Sequence, residues 1–207
     1  MNTGENNFGY SDTVMEHFTN PRNVLKIPEE DFGADGVGMV GNPTCGDMMK
    51  IWIKVDKEND RIVDLKWKTF GCASAIGSTS MMSEMVTEDD GMKIDDALSL
   101  TPQAIMDRLG GLPSIKIHCS VLGDKALRSA IYNYFEQTNQ KDRIVEQKAT
   151  VVCECLNVTD HEIEEEVLEG ADSFEKLQER TKISTGCGEC REEAESIFDK
   201  YRAKYFG

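Results

Sequence analysis

Four cysteines near the C-terminal end constrain how this chain can fold more than any other feature. They stand as Cys153-x-Cys155 and Cys187-x-x-Cys190, with 31 residues between the two pairs. Two tight pairs at this distance suit one metal centre, either a structural zinc or an iron–sulfur cluster. The chain between them must therefore turn back on itself. In an extended Cys-x-Cys both thiolates face one way. In the Cys-x-x-Cys, Gly186 and Gly188 let the backbone come close, and the start of a following helix favours negative charge. The competing reading is four unrelated buried cysteines, but free cysteines rarely fall in two tight pairs.

Three further cysteines are spaced less regularly. Cys45 lies in Gly41-Asn42-Pro43-Thr44-Cys45-Gly46-Asp47, Cys72 in Gly71-Cys72-Ala73-Ser74, and Cys119 in Lys116-Ile117-His118-Cys119. The intervening stretches are 26 and 46 residues, which match no zinc-finger rule. A single cysteine is more often core than ligand. Three features argue for ligands here. Each cysteine sits at the edge of an element, beside glycine or a polar residue. Cys72 and Cys119 each begin a helical pattern, where the thiolate is favoured. His118 adjoins Cys119, and Asp47 points the same way as Cys45 if the turn is extended. The set Cys45, Asp47, Cys72, His118 and Cys119 joins soft sulfur to one imidazole and one hard carboxylate. Soft thiolates select iron–sulfur clusters, zinc or copper(I). A fixed electron-transfer cluster usually has four thiolates; three with a carboxylate suit a site that binds and releases. His17 and His161 neighbour no thiol and read as structural.

The formal charge of −15 excludes the basic stripe that a nucleic-acid binder needs. Residues 150–207 carry 15 acidic and 7 basic side chains, net −8, whereas the other 149 residues carry 23 and 16, net −7. That asymmetry points to a second module. No apolar run is long enough to span a membrane. The first seven residues have neither a basic start nor an apolar core, so they form no secretory signal. The expected location is the cytoplasm, where seven cysteines read as metal ligands or reactive thiols rather than disulfides.

The patterning predicts a helix over Tyr10–Asn20, capped by Ser11 or Asp12, with Val14, Met15 and Phe18 on its apolar side and Pro21 after it. Acidic, glycine-rich residues 28–38 read as a loop. Gly46–Val55 alternates Met49, Ile51, Ile53 and Val55 against Lys50, Trp52 and Lys54. Arg61–Phe70 alternates Val63, Leu65 and Trp67 against Asp64, Lys66 and Lys68. These two runs predict an antiparallel hairpin with one wet face and helices over the other. Further helices are expected at Cys72–Val86, packing through Ala73, Ala75 and Gly77, then at Ile94–Leu98, Pro102–Leu109 and Cys119 or Ser120 to Phe135. Residues 137–149 read as a polar linker. Beyond it, helices are expected from Thr159, with Glu162 closing a capping box, at Ser173–Arg180 and at Arg191–Tyr205.

Four blocks carry a family resemblance: Tyr-Ser-Asp-Thr-Val-Met-Glu-His-Phe-Thr-Asn-Pro-Arg-Asn (10–23), Gly-Asn-Pro-Thr-Cys-Gly-Asp (41–47), Phe-Gly-Cys-Ala-Ser-Ala-Ile-Gly-Ser (70–78) and Leu-Pro-Ser-Ile-Lys-Ile-His-Cys-Ser-Val-Leu-Gly (112–123). In this order they resemble the U-type scaffolds of iron–sulfur cluster assembly. Residues 150–207 resemble the cluster-binding module of bacterioferritin-associated ferredoxin. The two joined resemble a NifU-type protein in a shortened architecture, without that family's third domain. Ser114 stands where many relatives have a second proline, in a segment (Leu112–Lys116) that a dedicated chaperone reads in those scaffolds.

The resemblance implies an α+β scaffold domain (1–136) with a small, mainly antiparallel sheet packed by helices. A small all-α domain (150–207) would follow, with a permanent 2Fe–2S cluster on Cys153, Cys155, Cys187 and Cys190. It implies a scaffold and carrier rather than a turnover enzyme, and a homodimer. A cysteine desulfurase would supply sulfur to Cys119, assisted by Lys116. A transient cluster, or iron or zinc, would occupy Cys45, Asp47, Cys72, His118 and Cys119, with apo iron–sulfur proteins as recipients. An electron donor and the chaperone would be further partners. The rival functions are a plain 2Fe–2S electron carrier and a zinc-binding structural or regulatory protein.

Overall fold

Met48–Asp56 (β2) and Arg61–Thr69 (β3) form the expected antiparallel hairpin. In the computed structural model, residues 10–41, 48–111, 118–144 and 149–206 are described, with side chains left out at 118–120. Contacts divide the chain into two units, Met1–Val145 and Glu146–Gly207.

The hairpin is the middle of a four-stranded antiparallel sheet completed by Gly36–Gly41 (β1) and Met92–Lys93 (β4), in the order β1-β2-β3-β4. Met49, Ile51, Ile53, Leu65 and Trp67 face the core, each at most 2% exposed. The simple alternation fails at one place. The register slips between Lys54 and Val55, so Lys54 pairs with Asp64 and Val55 with Ile62, leaving Val63 without a partner. This bulge turns Ile62 into the core and leaves Val63 at 44% exposure, the reverse of the pattern read from sequence.

The segment 28–38, expected to be a loop, holds Glu29–Phe32 (α2) and the first half of β1. α2 lays Phe32 beside Leu25 and Trp52, and Trp52 is 2% exposed. The outer sheet face is therefore partly covered rather than wet throughout. The Nζ of Lys54 stands over the Phe32 ring at 4.6 Å and that of Lys50 over the Trp52 ring at 5.0 Å.

β1 escapes a pattern search because its inward positions are glycine. A Cβ on Gly38 would lie 2.2 Å from the Ala126 carbonyl oxygen and 2.4 Å from the Ala130 nitrogen; one on Gly36 would lie 2.4 Å from the Ala130 oxygen. These glycines let helix His118–Gln137 (α6) rest directly on the strand. α6 brings Ala126, Leu127, Ala130, Ile131 and Phe135 into the core.

Asp12–Thr19 (α1) is capped by Ser11, whose oxygen accepts from the Val14 N–H at 3.1 Å and whose hydroxyl donates to the Leu109 carbonyl at 2.6 Å. Its buried side is Val14 and His17, while Phe18 is 36% exposed, a correction to the expected apolar face. The cause is the partner helix Ala73–Thr87 (α3), which presents hydroxyls instead of methyls. Ser74, Ser78, Ser80 and Ser83 are buried, and His17 Nδ1 meets Ser80 Oγ at 2.8 Å. Gly77 lets the Val14 backbone approach. Ile94–Leu98 (α4) and Pro102–Leu109 (α5) complete the layer, with Thr101 capping α5 and Gly110 ending it at φ 75°.

A 3-10 turn at Lys141–Arg143 follows α6. Arg143 makes two bonds to Asp60, at 2.9 and 2.7 Å, and one to Asp95 at 2.9 Å, and lies over the Phe135 ring. Residues up to 144 of the polar stretch 137–149 are thus tied to the first unit.

The second unit has its own core of Val152, Val158, Ile163, Val167, Phe174, Leu177, Ile183, Ala194 and Phe198. Val151–Cys153 (β5) and Val158–Thr159 (β6) form a short ladder before Asp160–Leu168 (α7), Phe174–Thr181 (α8) and Arg191–Phe206 (α9). The expected capping box is present: Thr159 accepts from the Glu162 N–H, and the Glu162 carboxylate accepts from the Thr159 N–H. Buried Glu164 is held by Lys204 and the Tyr205 hydroxyl, which ties α9 to α7.

Candidate metal centres

In the first unit, the ends of the ligand-bearing segments gather at one end of the sheet. Gly41 ends β1 and pairs with Met48, which begins β2, so the connection 42–47 with Cys45 and Asp47 leaves and re-enters there. β3 finishes at the same end, where Thr69 pairs with Met49. The turn after it is pinned to β2: the Phe70 N–H and the Thr69 hydroxyl both donate to the Met48 carbonyl, at 3.2 and 2.6 Å. Thr69 Oγ1 also accepts from the Gly71 N–H at 3.0 Å, which delivers Cys72 to the N-cap of α3. α6 runs opposite to β1, since its Tyr134 lies beside Gly36 and its Ala126 beside Gly38. Its first residues, His118 and Cys119, are therefore carried toward the Gly41 end.

Cys72 is half-buried with extended backbone, φ −72° and ψ 173°. Cys45, Asp47 and Lys116 lie outside the described residues, as do the side chains of His118 and Cys119 and the chaperone-type segment Leu112–Lys116. The helix starts agree with an anionic occupant. Neither α3 nor α6 has an acidic residue in its first turn, and neither does α5, whereas α1, α2, α4, α7, α8 and α9 all do. Neither helix start is neutralised from within its own first turn. A polar cleft of about 520 Å³, lined by Asp56, Asn59, Arg61, Val63, Asp89 and Asp90, opens at the end of the hairpin opposite Met48 and Thr69.

In the second unit the four cysteines come together, all of them free. Cys153 ends β5 and is fully buried, Cys190 is half-buried, and Cys155 and Cys187 are exposed. The Sγ atoms of Cys153 and Cys155 are 3.6 Å apart, and those of Cys155 and Cys187 are 3.7 Å apart. Two sulfurs on one tetrahedral metal with bonds of ~2.3 Å stand about 3.8 Å apart, so both contacts have ligand-pair spacing. Cys190 in turn contacts Cys153. The sulfurs run as a chain, 187–155–153–190. Among the described residues, no three or more His, Cys, Asp or Glu side chains are set to hold a single metal ion.

The loops explain the spacing. A Cβ on Gly186 would fall 2.9 Å from Cys155 Sγ, so any larger residue there would push that sulfur aside. Gly188 turns at φ 78° and accepts from the Arg191 N–H, and the Cys190 carbonyl accepts from Ala194 in the first turn of α9. The thiols are unequal. The Ser184 N–H is the main cause that lowers the Cys153 pKa, helped by Cys190 and the Leu156 N–H against the cost of burial. For Cys155 the Cys187 N–H pulls the pKa down, but the sulfurs of Cys153 and Cys187, with burial, outweigh it and push the pKa up. Cys153 thus ionises more readily than Cys155.

Ser184 was not legible from sequence as part of this site. Its hydroxyl lies 3.1 Å from Cys190 Sγ and its backbone sits at φ 59°. Only its place three residues before Cys187 hinted at a role.

Comparison with known proteins assigns a described family to each part of the chain. The family described as the NifU-like N terminal domain matches residues 9–141, and the family described as the BFD-like [2Fe-2S] binding domain matches 151–200. The iron-sulfur cluster assembly scaffold protein IscU 1 of Archaeoglobus fulgidus is 52% identical over 137 residues, 66% of this chain and 84% of that protein. An IscU scaffold of Aquifex aeolicus is 44% identical over 170 residues, 82% of this chain and 97% of that protein. The nitrogen fixation protein NifU of Trichormus azollae is 40% identical over 195 residues, 91% of this chain. This chain spans 62% of that protein's length.

Proposed function

The chain belongs to the NifU-like N-terminal domain family, carries a BFD-like [2Fe-2S] binding domain behind it, and on that premise we propose that it is a scaffold for iron–sulfur cluster assembly. The observation that carries this reading is the gathering of three ligand-bearing segments at one end of the sheet, beside two helix starts without acidic residues. Such an end favours a soft, anionic cargo.

The cargo is iron and sulfur, received and then handed on. A cysteine desulfurase presents a persulfide. The Cys119 thiolate attacks the outer sulfur; the new S–S bond forms on Cys119, the old one breaks, and the desulfurase recovers its thiolate. Two electrons from a reduced donor convert the persulfide sulfur to sulfide and return the Cys119 thiolate. Lys116, two residues before His118, favours the thiolate by its charge. Iron is held by Cys45, Asp47, Cys72 and the His118–Cys119 segment. The Asp47 oxygen is the poorest match for iron in the cluster and leaves first, which opens the way for a thiolate of an apo-protein. The chain is a sulfur acceptor and cluster donor rather than a turnover enzyme. It works as a homodimer in the cytoplasm, and a chaperone reads Leu112–Lys116.

The four cysteines of the second unit fit a resident 2Fe–2S group in donor type and in spacing. When bound, that group supplies one-electron transfer. The chain's own part is to bury Cys153, aim N–H groups at Cys153 and Cys155, and leave Cys155 and Cys187 at the surface where electrons enter.

The test is anaerobic reconstitution with a desulfurase, cysteine and iron, followed by transfer to an apo-ferredoxin. The expected result is two visible-light chromophores, one retained by the chain and one passed on. A colourless protein holding zinc after anaerobic purification would overturn the reading.

A further inference from the structure

Ser184 makes contacts that the packing of its loop does not require. It lies in the left-handed region at φ 59°, unfavourable for any residue with a Cβ, and Lys182 two positions earlier does the same at φ 62°. The turn is nonetheless held firmly. The Lys182 carbonyl accepts from both the N–H and the hydroxyl of Thr185, at 3.2 and 2.7 Å. The Ile183 carbonyl accepts from the Gln178 amide at 3.0 Å, and the Ile183 N–H donates to the Thr181 hydroxyl. Glycine would adopt this conformation without strain. What serine adds is a hydroxyl, and it lies 3.1 Å from Cys190 Sγ. A sulfur bound to metal is a thiolate with no proton of its own, so in the loaded site the hydroxyl is the donor. The same residue's N–H donates to Cys153 Sγ.

We propose that Ser184 is a positioning residue that donates from its hydroxyl to Cys190 and from its backbone to Cys153, and thereby raises the reduction potential of the 2Fe–2S group held there. This rests on the assignment of the four cysteines to that group. One-electron reduction adds one negative charge and makes or breaks no bond. Part of that charge falls on the ligand sulfurs, where a donated O–H dipole stabilises it, so hydrogen bonds to sulfur move the potential upward. Ser184 touches one sulfur of each cysteine pair, Cys153 through its backbone and Cys190 through its hydroxyl.

The experiment uses the full chain, reconstituted anaerobically, with dithionite as electron source in a mediated redox titration. Ser184→Gly keeps the N–H and the left-handed turn and removes only the hydroxyl; Ser184→Ala removes the hydroxyl and keeps the strain. Both variants should titrate at a lower potential than wild type, by similar amounts. In resonance Raman spectra, the shift of the Fe–S(Cys) stretching bands on transfer to deuterated water should be smaller in both variants. If the Ala variant does not fold, the Gly variant alone decides. A Gly variant with the wild-type potential, or a higher one, overturns the role of Ser184. A wild-type chain with no cluster signal lost in Cys187→Ser overturns the assignment of the four cysteines, and this proposal with it.

Discussion

The two units set out their candidate metal ligands in opposite ways. In the second, all four cysteines sit in two short segments within 38 residues, Cys153 to Cys190, and one of them, Cys153, is part of the hydrophobic core. In the first, the ligand-bearing segments are joined only by the sheet and its helices. Its core of Met49, Ile51, Ile53, Ile62, Leu65, Leu127, Ile131 and Phe135 lies in the body of the unit, beneath the sheet and α6. The first unit therefore folds on its core and binds cargo at its margin. The second has a small core and shares it with a ligand, so its folding and its metal binding are coupled. A site whose ligand leaves without disturbing the core can release; one built into the core retains.

The largest expected effect tests that coupling. Cys187→Ser should abolish the cluster retained in the purified protein and remove the cooperative unfolding of residues 150–207, while the first unit keeps its melting transition and its uptake of iron and sulfur. Differential calorimetry with visible absorbance checks it, and loss of both transitions would show that the units are not independent.

A change in the first unit should have the converse effect. Gly38→Ala places a Cβ 2.2 Å from the Ala126 carbonyl oxygen, where backbone meets backbone. The helix must lift from the strand, at a cost of about 3 kcal/mol or more in the stability of the first unit. The retained cluster should be unaffected, as denaturant unfolding read beside visible absorbance would show.

The third prediction sharpens the contrast between release and retention. Asp47→Ala should assemble a transient cluster that survives purification, with a half-life several-fold longer and correspondingly slower transfer to apo-ferredoxin. Asp47→Asn, run beside it, separates ligand chemistry from turn formation, since asparagine also caps turns. Equal half-lives in wild type and both variants would return Asp47 to a structural role.

The smallest effect is on pH. Burial against α3 lowers the pKa of His17 below its usual 6.5. Below that value the unfolded chain binds a proton that the folded chain refuses, so stability rises with pH in this window and is fully present above it. The first unit should lose stability as pH falls from 6.5 toward the depressed value, and His17→Asn should flatten the slope. Urea midpoints at pH 5.5 and 7 measure this, and no difference in slope would remove histidine from the account.

Much of the fold was legible because helix and strand periods, caps and turns are local. Thr101 before Pro102, the Thr159–Glu162 box and the hairpin of β2 and β3 all follow from residues within one element. β1 was not, because Gly-Val-Gly-Met-Val-Gly has no apolar inner face to read; its glycines make sense only once α6 lies on them. Val63 and Phe18 were placed on the wrong faces for kindred reasons, one a bulge and the other a serine-lined partner helix.

The sequence by itself named the candidate ligands in the second unit and the segments that carry the candidates in the first, because thiol chemistry and spacing are written in the chain. Tertiary structure decided what those residues experience. It buried Cys153 and exposed Cys155, drew Ser184 onto two sulfurs, and brought the ends of β1, β3 and α6 to one edge of a sheet. The physical reason is that burial and hydrogen bonding at a sulfur depend on groups distant in sequence. Their positions follow from packing, which no local pattern encodes.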